Sequence, residues 1–164
     1  MPVLQYDRRA FLTKAGVAGA AFAAGNAAAL RPARAQGLSP TQTMRGGSNN
    51  YRPGAPLVDR LGRGFFVRGE VRRAQDGALL RNVRIQIWAA TTLGGEGDPQ
   101  NHGSVLTGED GRFELETAQI VPNFGQPHAH LAYDDGHFRQ VFLRPVMDSP
   151  SDTSVTANFV LAEA

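Results

Sequence analysis

The chain has 164 residues, of which 20% are charged and none is cysteine. This length allows one domain with additional segments, and the lack of cysteine excludes disulfides, thiolate metal sites and cysteine nucleophiles. The formal net charge is +2, but five of the 17 Lys and Arg residues and one of the 15 Asp and Glu residues lie within residues 1–35. The rest of the chain therefore has a net charge of −2 and no cluster of basic and aromatic residues, so we expect no nucleic-acid partner.

Residues 1–35 have the three parts of a bacterial export signal. Arg8 and Arg9 precede an apolar pair, an uncharged stretch rich in Ala and Gly covers residues 15–30, and an A-x-A cleavage sequence ends at Ala35. The paired arginines indicate the twin-arginine route, so we expect a periplasmic or secreted protein that the twin-arginine machinery exports. A membrane-anchoring helix is the alternative, but this stretch is short of the ~20 apolar residues that span a bilayer.

The next segment, residues 36–64, is rich in Gly, Pro, Ser, Asn and Arg and shows no apolar period of 2 or 3.6 residues. This composition predicts a linker or an extended arm. Such an arm could wrap the domain that follows it or bind a second copy of the chain. A homo-oligomer joined through the arm is therefore an expectation of the sequence.

After the arm, short apolar runs alternate with turn residues. Residues 83–88 alternate apolar and polar side chains, which predicts a half-buried strand, and Gly69, Gly77 and Gly111 are interpreted as turn glycines. Because no stretch has a helical apolar stripe, residues 65–164 are predicted to form an all-β domain, an antiparallel β-sandwich of six to eight strands. The predicted strands cover residues 65–71, 83–88, 113–116, 128–133, 138–143 and 155–161.

The sequence His-Ala-His is the sharpest chemical motif. Side chains on a strand alternate between its faces, so His128 and His130 are expected on one face with Ala132, and Ala129 and Leu131 on the other. Two imidazoles about 7 Å apart along a strand can converge on one metal ion. Taken alone the motif is weak, because paired histidines on a strand are often ordinary surface residues.

Four motifs in chain order strengthen the metal interpretation. A strand ends in Trp88, a Thr-Gly-Glu-Asp-Gly turn covers residues 107–111, Pro-His-Ala-His covers residues 127–130, and a later strand contains Gln140. Over about residues 65–143 this series resembles the intradiol ring-cleavage dioxygenases, the catechol and protocatechuate enzymes.

The resemblance implies a β-sandwich that holds ferric iron through two tyrosinates and two histidines and that cleaves a catechol. It implies that His128 and His130 are the histidine ligands. It also implies that Gln140 lies near the substrate in a catalytic role.

The chain departs from this family at both tyrosine positions. The first tyrosine is expected eight residues after Trp88, where Glu96 stands, and the second in residues 121–124, which read Val-Pro-Asn-Phe. The arginine that usually precedes the histidine pair is also missing. Because the tyrosinates stabilise ferric iron, we do not expect the family's mechanism to operate unchanged.

A carboxylate is the natural replacement for the missing ligands. Glu96 with His128 and His130 would form a two-histidine, one-carboxylate set that suits Fe(II), Mn(II) or Zn(II), although iron is the metal that the resemblance implies. A shift of two residues in the comparison would nominate Asp98 instead, and His102 is the alternative third ligand in the same loop. It is equally open that these loop residues are simply solvated.

Three functions remain open from the sequence. The first is a non-haem, metal-dependent oxygenase that acts on an aromatic diol or a related ring. The second is a non-catalytic binding or accessory β-sandwich of the transthyretin-like kind. The third is a hydrolase or isomerase in which a divalent metal ion in the same pocket activates water; no Gly-x-Ser-x-Gly sequence supports serine hydrolysis.

Overall fold

Two four-stranded sheets form the core of the part of the chain that the structure, a computed structural model, describes: residues 37–164. The predicted export signal lies outside these residues. The all-β sandwich predicted from the sequence is confirmed, and a single turn of 3-10 helix at Pro99–Asn101 interrupts it. The strands are β1 (Phe65–Arg73), β2 (Arg84–Trp88), β3 (His102–Leu106), β4 (Arg112–Thr117), β5 (His130–Tyr133), β6 (Val141–Leu143), β7 (Ser154–Thr156) and β8 (Phe159–Leu161).

The two sheets differ in strand direction. The second sheet, in the order β3-β2-β5-β6, is antiparallel throughout, as predicted. In the first sheet β4 is antiparallel to β1, whereas β7 and β8 both run parallel to β1. This sheet is mixed rather than antiparallel. β7 and β8 follow β6 of the other sheet, so they join β1 through a connection longer than a hairpin, which allows the parallel direction.

The core lies between the sheets, where the alternation of side chains predicts it. Ile85 and Ile87 of β2 and Leu131 and Tyr133 of β5 point into it. Gln86 and Trp88 are on the other face of β2. The sequence predicted a strand buried on one face only, but both of these residues are also buried, each with 1% exposure. Residues 37–64 cover that outer face, and this covering, rather than packing between the two sheets, buries both side chains.

Residues 37–64 contain no strand of their own and follow the sheet edges. The backbone of Met44 donates to the carbonyl of Phe142 on β6, and Val58 donates to Ser104 on β3. β3 and β6 are the two edge strands of the second sheet. The arm therefore satisfies backbone groups that an open edge would expose.

Gly69 lies inside β1 rather than in a turn. A Cβ atom at this position would lie 1.8 Å from the carbonyl oxygen of Ala157 and 2.8 Å from the ring of Phe113. The chain passes β1 at this point on its way from β7 to β8, and the amide of Ala157 donates to the carbonyl of Arg68. Only a residue without a side chain allows this approach.

We expect Gly69→Ala to lower the free energy of unfolding by about 2–4 kcal/mol, because backbone rather than a flexible side chain blocks the new methyl group. Urea denaturation measures the change. Gly108→Ala is the matched control, since its nearest contact is an exposed Asp110 side-chain oxygen at 3.2 Å, and it should cost about 1 kcal/mol or less. Equal effects of the two variants would contradict this account.

Candidate metal centre

Three aromatic rings form a stack on the outer face of the second sheet. The strand register places Trp88 on β2 opposite His102 on β3 and opposite His130 on β5. The indole lies 5.6 Å from the His102 ring and 5.1 Å from the His130 ring, with interplanar angles of 9° and 10°. The indole Nε1 donates to the carbonyl of Asn49 at 2.9 Å. Trp88 therefore fixes the ring planes of both neighbouring histidines.

The two histidines of the His-Ala-His motif share this outer face, as the alternation predicts. The Nδ1 atom of His130 lies 2.8 Å from the carbonyl oxygen of Gly47, and Nδ1 of His128 lies 2.8 Å from that of Gln126. Because a carbonyl oxygen only accepts, Nδ1 carries the proton in each ring. This leaves Nε2 of both residues as the ligand atom, the arrangement that most metal-binding histidines have.

The loop between β2 and β3 brings Glu96 to these nitrogens. Asn101 holds the loop by donating from Nδ2 to the carbonyls of Gly94 and Gly95, both at 2.9 Å. His102 donates from Nε2 to the Glu96 carbonyl at 2.8 Å. The loop thereby turns the Glu96 side chain inward, where it is 5% exposed.

The structure corrects the two alternative third ligands. His102 was considered as a ligand, but its Nε2 atom is used by the Glu96 carbonyl, so it positions the loop instead. Asp98 accepts a hydrogen bond from the amide of Gly95 at 2.6 Å and likewise shapes the loop. In residues 37–164, the one cluster of His and acidic residues with metal-binding spacing is Glu96, His128 and His130.

The distances within this cluster fit a small divalent ion. Glu96 Oε2 is 3.2 Å from His128 Nε2, and Oε1 is 3.1 Å from His130 Nε2. Ligand atoms that lie about 2.1 Å from a metal ion and subtend a right angle are about 3 Å apart. The Nε2 atom of His130 is buried and has no hydrogen-bond partner within residues 37–164. A buried polar atom without a partner is costly, and a metal ion would provide that partner.

The protonation states of Glu96 and His130 also favour a metal ion at this site. Burial alone would raise the pKa of Glu96, but the amide donors from Asn50 at 2.8 Å and Asn123 at 2.7 Å favour its ionised form, and its pKa lies below the usual value. Burial lowers the pKa of His130. The contact at 3.1 Å therefore joins an ionised carboxylate to the lone pair of a neutral imidazole. Two acceptors face each other there, which favours a cation between them.

An open cavity of about 310 Å³ lies against Glu96 and His128. Phe124 is 98% exposed at its edge, in a left-handed backbone conformation with φ of 48°. A non-glycine residue in this region is strained, and such strain is concentrated at functional sites. The other lining residues are Asn49, Asn50, Asn123 and Arg144. Sequence reasoning missed Asn50 and Arg144, because no local pattern connects them to the histidines.

The structure places Gln140 away from this cavity, contrary to its predicted catalytic role. Gln140 is exposed and lines a separate groove with Thr41. Val141 pairs with Tyr133, whereas His128 pairs with Val146 near the other end of the β5–β6 ladder. Six residues of extended chain span about 20 Å. Gln140 therefore cannot contact a ligand held by His128.

No protein-family model matches this sequence, and no curated protein matches it. Solved structures do match. The 3-chlorocatechol 1,2-dioxygenase of Rhodococcus opacus 1CP is 20% identical with a TM-score of 0.58, over 79% of this chain and 76% of that one. The hydroxyquinol 1,2-dioxygenase of Pseudomonas putida DLL-E4 is 14% identical with a TM-score of 0.57, over 77% and 68%.

The dioxygenase domain of a carbohydrate-binding fusion protein from Streptomyces sp. SirexAA-E is 21% identical with a TM-score of 0.57, over 77% of this chain and 100% of that one. The chain has the intradiol dioxygenase fold. The resemblance noted in the sequence is thus confirmed for the fold. The two tyrosines of residues 37–164 lie elsewhere than in the metal cluster, since Tyr133 is in the core and the Tyr51 hydroxyl donates to Asp134.

Tyr51 also provides a measure of arm docking. Burial and the Asp134 carboxylate raise its pKa to about 12, whereas an unfolded tyrosine has a pKa of about 10. The folded state therefore holds this proton more tightly. The resulting stability is fully present below pH 10 and is lost as the pH rises from about 10 to about 12.

We expect Tyr51→Phe to lose less stability than the wild type over that range. The difference should be about 1 kcal/mol, because the partly exposed hydroxyl is screened by solvent. Urea denaturation at pH 9 and near pH 11.5 measures it. Burial also raises the pKa of Tyr133. Because both proteins contain Tyr133, its contribution to the pH dependence is the same in both and does not affect their difference. The same pH dependence in both would contradict the assigned contact.

Proposed function

We propose that this protein is a non-haem metalloenzyme, an oxygenase that binds a divalent ion, with iron as the first choice, and acts on an aromatic diol or a related ring. The observation that carries the proposal is the buried Nε2 atom of His130, which has no hydrogen-bond partner in the part of the chain that the structure describes and faces the Glu96 carboxylate beside His128. Two histidines and one carboxylate leave open positions on an ion, as non-haem iron oxygenases require. The fold shared with 3-chlorocatechol and hydroxyquinol 1,2-dioxygenases supports the reaction class.

The residues around the centre have separable tasks. The bound ion would supply Lewis acidity toward the diol oxygens and, if it is iron, electron exchange with oxygen. Asn50 and Asn123 hold the Glu96 carboxylate in place through one amide each. Trp88 keeps the His130 ring fixed and excludes water from behind it. A cavity of about 310 Å³ admits a single aromatic ring, since one of about 150 Å³ already binds benzene in another protein.

We further propose that the protein works outside the cytoplasm. The support is the order of the twin arginines Arg8 and Arg9, the Ala-rich stretch and the A-x-A sequence in residues 1–35. Its proposed partners are a small aromatic substrate and the twin-arginine machinery, with a homo-oligomer through the arm left as a prediction. Immunoblotting of periplasmic fractions from wild type and from an Arg8→Lys, Arg9→Lys double variant tests the export route.

The metal site predicts a loss of metal in ligand variants. Wild type purified from the periplasm should retain near-stoichiometric metal by elemental analysis, whereas His128→Ala and His130→Ala should bind it at least about 100-fold more weakly, because each removes one of three ligands. Glu96→Gln should weaken binding similarly. His137→Ala is the matched control, since that histidine is exposed in the β5–β6 connection. Retention of stoichiometric metal by folded His128→Ala would refute the site.

The oxygenase proposal predicts oxygen uptake when the iron-loaded protein is mixed with catechol, and loss of that uptake in Glu96→Gln. An oxygen electrode measures the rate, and the product is checked for incorporation of labelled oxygen. Turnover that needs no oxygen would replace the proposal with a hydrolase or isomerase. Failure to bind any metal after reconstitution would indicate a non-catalytic binding sandwich.

A further inference from the structure

Trp88 and Tyr51 form a line of aromatic rings that begins at the metal centre and leads into the arm. The Trp88 indole stacks on the ring of the ligand His130 at 5.1 Å, and its other neighbour is the Tyr51 ring, whose centroid lies 5.8 Å away. Trp88 is fully buried, whereas Tyr51 is half-buried. The line therefore connects a buried metal ligand to a residue that reaches solvent.

The Tyr51 hydroxyl has a proton acceptor beside it. It donates to Oδ2 of Asp134, and the side-chain amide of Gln86 donates to the same oxygen. The other carboxylate oxygen, Oδ1, is buried and has no hydrogen-bond partner within residues 37–164. A proton that moved from Tyr51 to Asp134 would thus neutralise a charge that its surroundings compensate only in part.

These contacts have the features of an electron-transfer path. Indole and phenol are the most readily oxidised aromatic side chains, and the chain has no cysteine to compete with them. Neighbouring rings exchange electrons rapidly, because electronic coupling falls steeply with distance. Oxidation of a phenol at neutral pH also releases its proton, so a hydrogen-bonded carboxylate makes the loss of the electron easier.

We propose that Trp88 and Tyr51 form an electron-transfer path to the metal centre, and that Asp134 accepts the Tyr51 proton when Tyr51 is oxidised. The inference rests on the proposed function, because it requires a redox-active ion bound by His130. Such a path draws oxidising equivalents away from the buried ligands when no aromatic substrate is bound.

The electrons and protons balance with hydrogen peroxide as the oxidant. Trp88 gives one electron toward the centre and recovers it from Tyr51, which becomes a neutral tyrosyl radical as its proton passes to Asp134. The ferrous ion gives the second electron and becomes ferric. The peroxide takes both electrons and two protons from solvent and becomes two water molecules.

The step between the two rings is tested on the full chain without added iron. Every protein carries Tyr6→Phe, which leaves Tyr51 and Tyr133 as the tyrosines. Trp88 is the single tryptophan, so a laser pulse at a wavelength that tyrosine does not absorb ionises it selectively. Transient absorption should show a tyrosyl radical that forms as the tryptophan radical decays, and the tyrosyl signal should be lost in Tyr51→Phe.

Tyr133→Phe is the matched control. The Tyr133 hydroxyl also donates to a carboxylate, that of Asp135, but its ring lies in the core and packs on Phe138. This variant should form the tyrosyl radical at the rate of its parent. Asp134→Asn, which keeps the size of the side chain but cannot take the proton, should form it more slowly. A tyrosyl radical in Tyr51→Phe, or its loss in Tyr133→Phe, would overturn the inference.

The connection to the metal is tested by mixing iron-loaded protein with hydrogen peroxide and freezing it rapidly. Electron paramagnetic resonance should detect a tyrosyl radical in the parent and none in Tyr51→Phe. Trp88→Phe should show a much weaker signal, once elemental analysis and urea denaturation verify its iron content and fold. An equal signal in Trp88→Phe would overturn the inference.

The two proposals fail in different ways. If iron binds and catechol drives oxygen uptake but Tyr51 is not oxidised, the path is refuted and the proposed function stands. If no iron binds, the proposed function is refuted, and a tyrosyl radical in the laser experiment would still establish electron transfer from Tyr51 to Trp88.

Discussion

The buried carboxylate of Glu96 is the constraint on which the rest of the site depends. A carboxylate taken out of water costs several kcal/mol unless each oxygen receives donors or a cation. Here each oxygen meets one amide hydrogen and one imidazole nitrogen. The amides belong to Asn50 and Asn123, which are 46 and 27 residues away in the chain. The arm, the β2–β3 loop and the segment before β5 must therefore all be in place before Glu96 can be buried and ionised.

Strand register and the arm make separate contributions to the environment of the site. The register of β3, β2 and β5 lines up His102, Trp88 and His130 as neighbours across the sheet, so their stacking follows from backbone pairing. The outer face of an antiparallel sheet is ordinarily exposed to solvent. Residues 47–50 cover it and provide carbonyl acceptors for His130 and Trp88. The β-sandwich thus orients the rings, and the arm supplies the dry surroundings in which a metal ion binds strongly.

The sequence predicts what depends on local geometry and misses what depends on long-range pairing. Alternation along one strand was sufficient to place His128 and His130 together, and counting from Trp88 reached Glu96. The position of Gln140 depends on the β5–β6 register, which no residue pattern specifies. β3 was missed because Gly103 and Ser104 interrupt its apolar pattern. Asn50 and Arg144 reach the site only through the docked arm and the end of β6, contacts that leave no periodic signal.

Charge balance explains why a two-histidine, one-carboxylate set is compatible with this fold. The ligand set that the resemblance implies, ferric iron with two tyrosinates, leaves one unit of net positive charge at the metal. A divalent ion with Glu96 leaves the same net charge, with neutral histidines in both cases. The ligand change and the lower metal charge therefore compensate each other, whereas ferric iron bound to Glu96 alone would add one more positive charge within a buried pocket. Arg144 adds further positive charge beside His128, which disfavours a more highly charged metal ion in the same pocket.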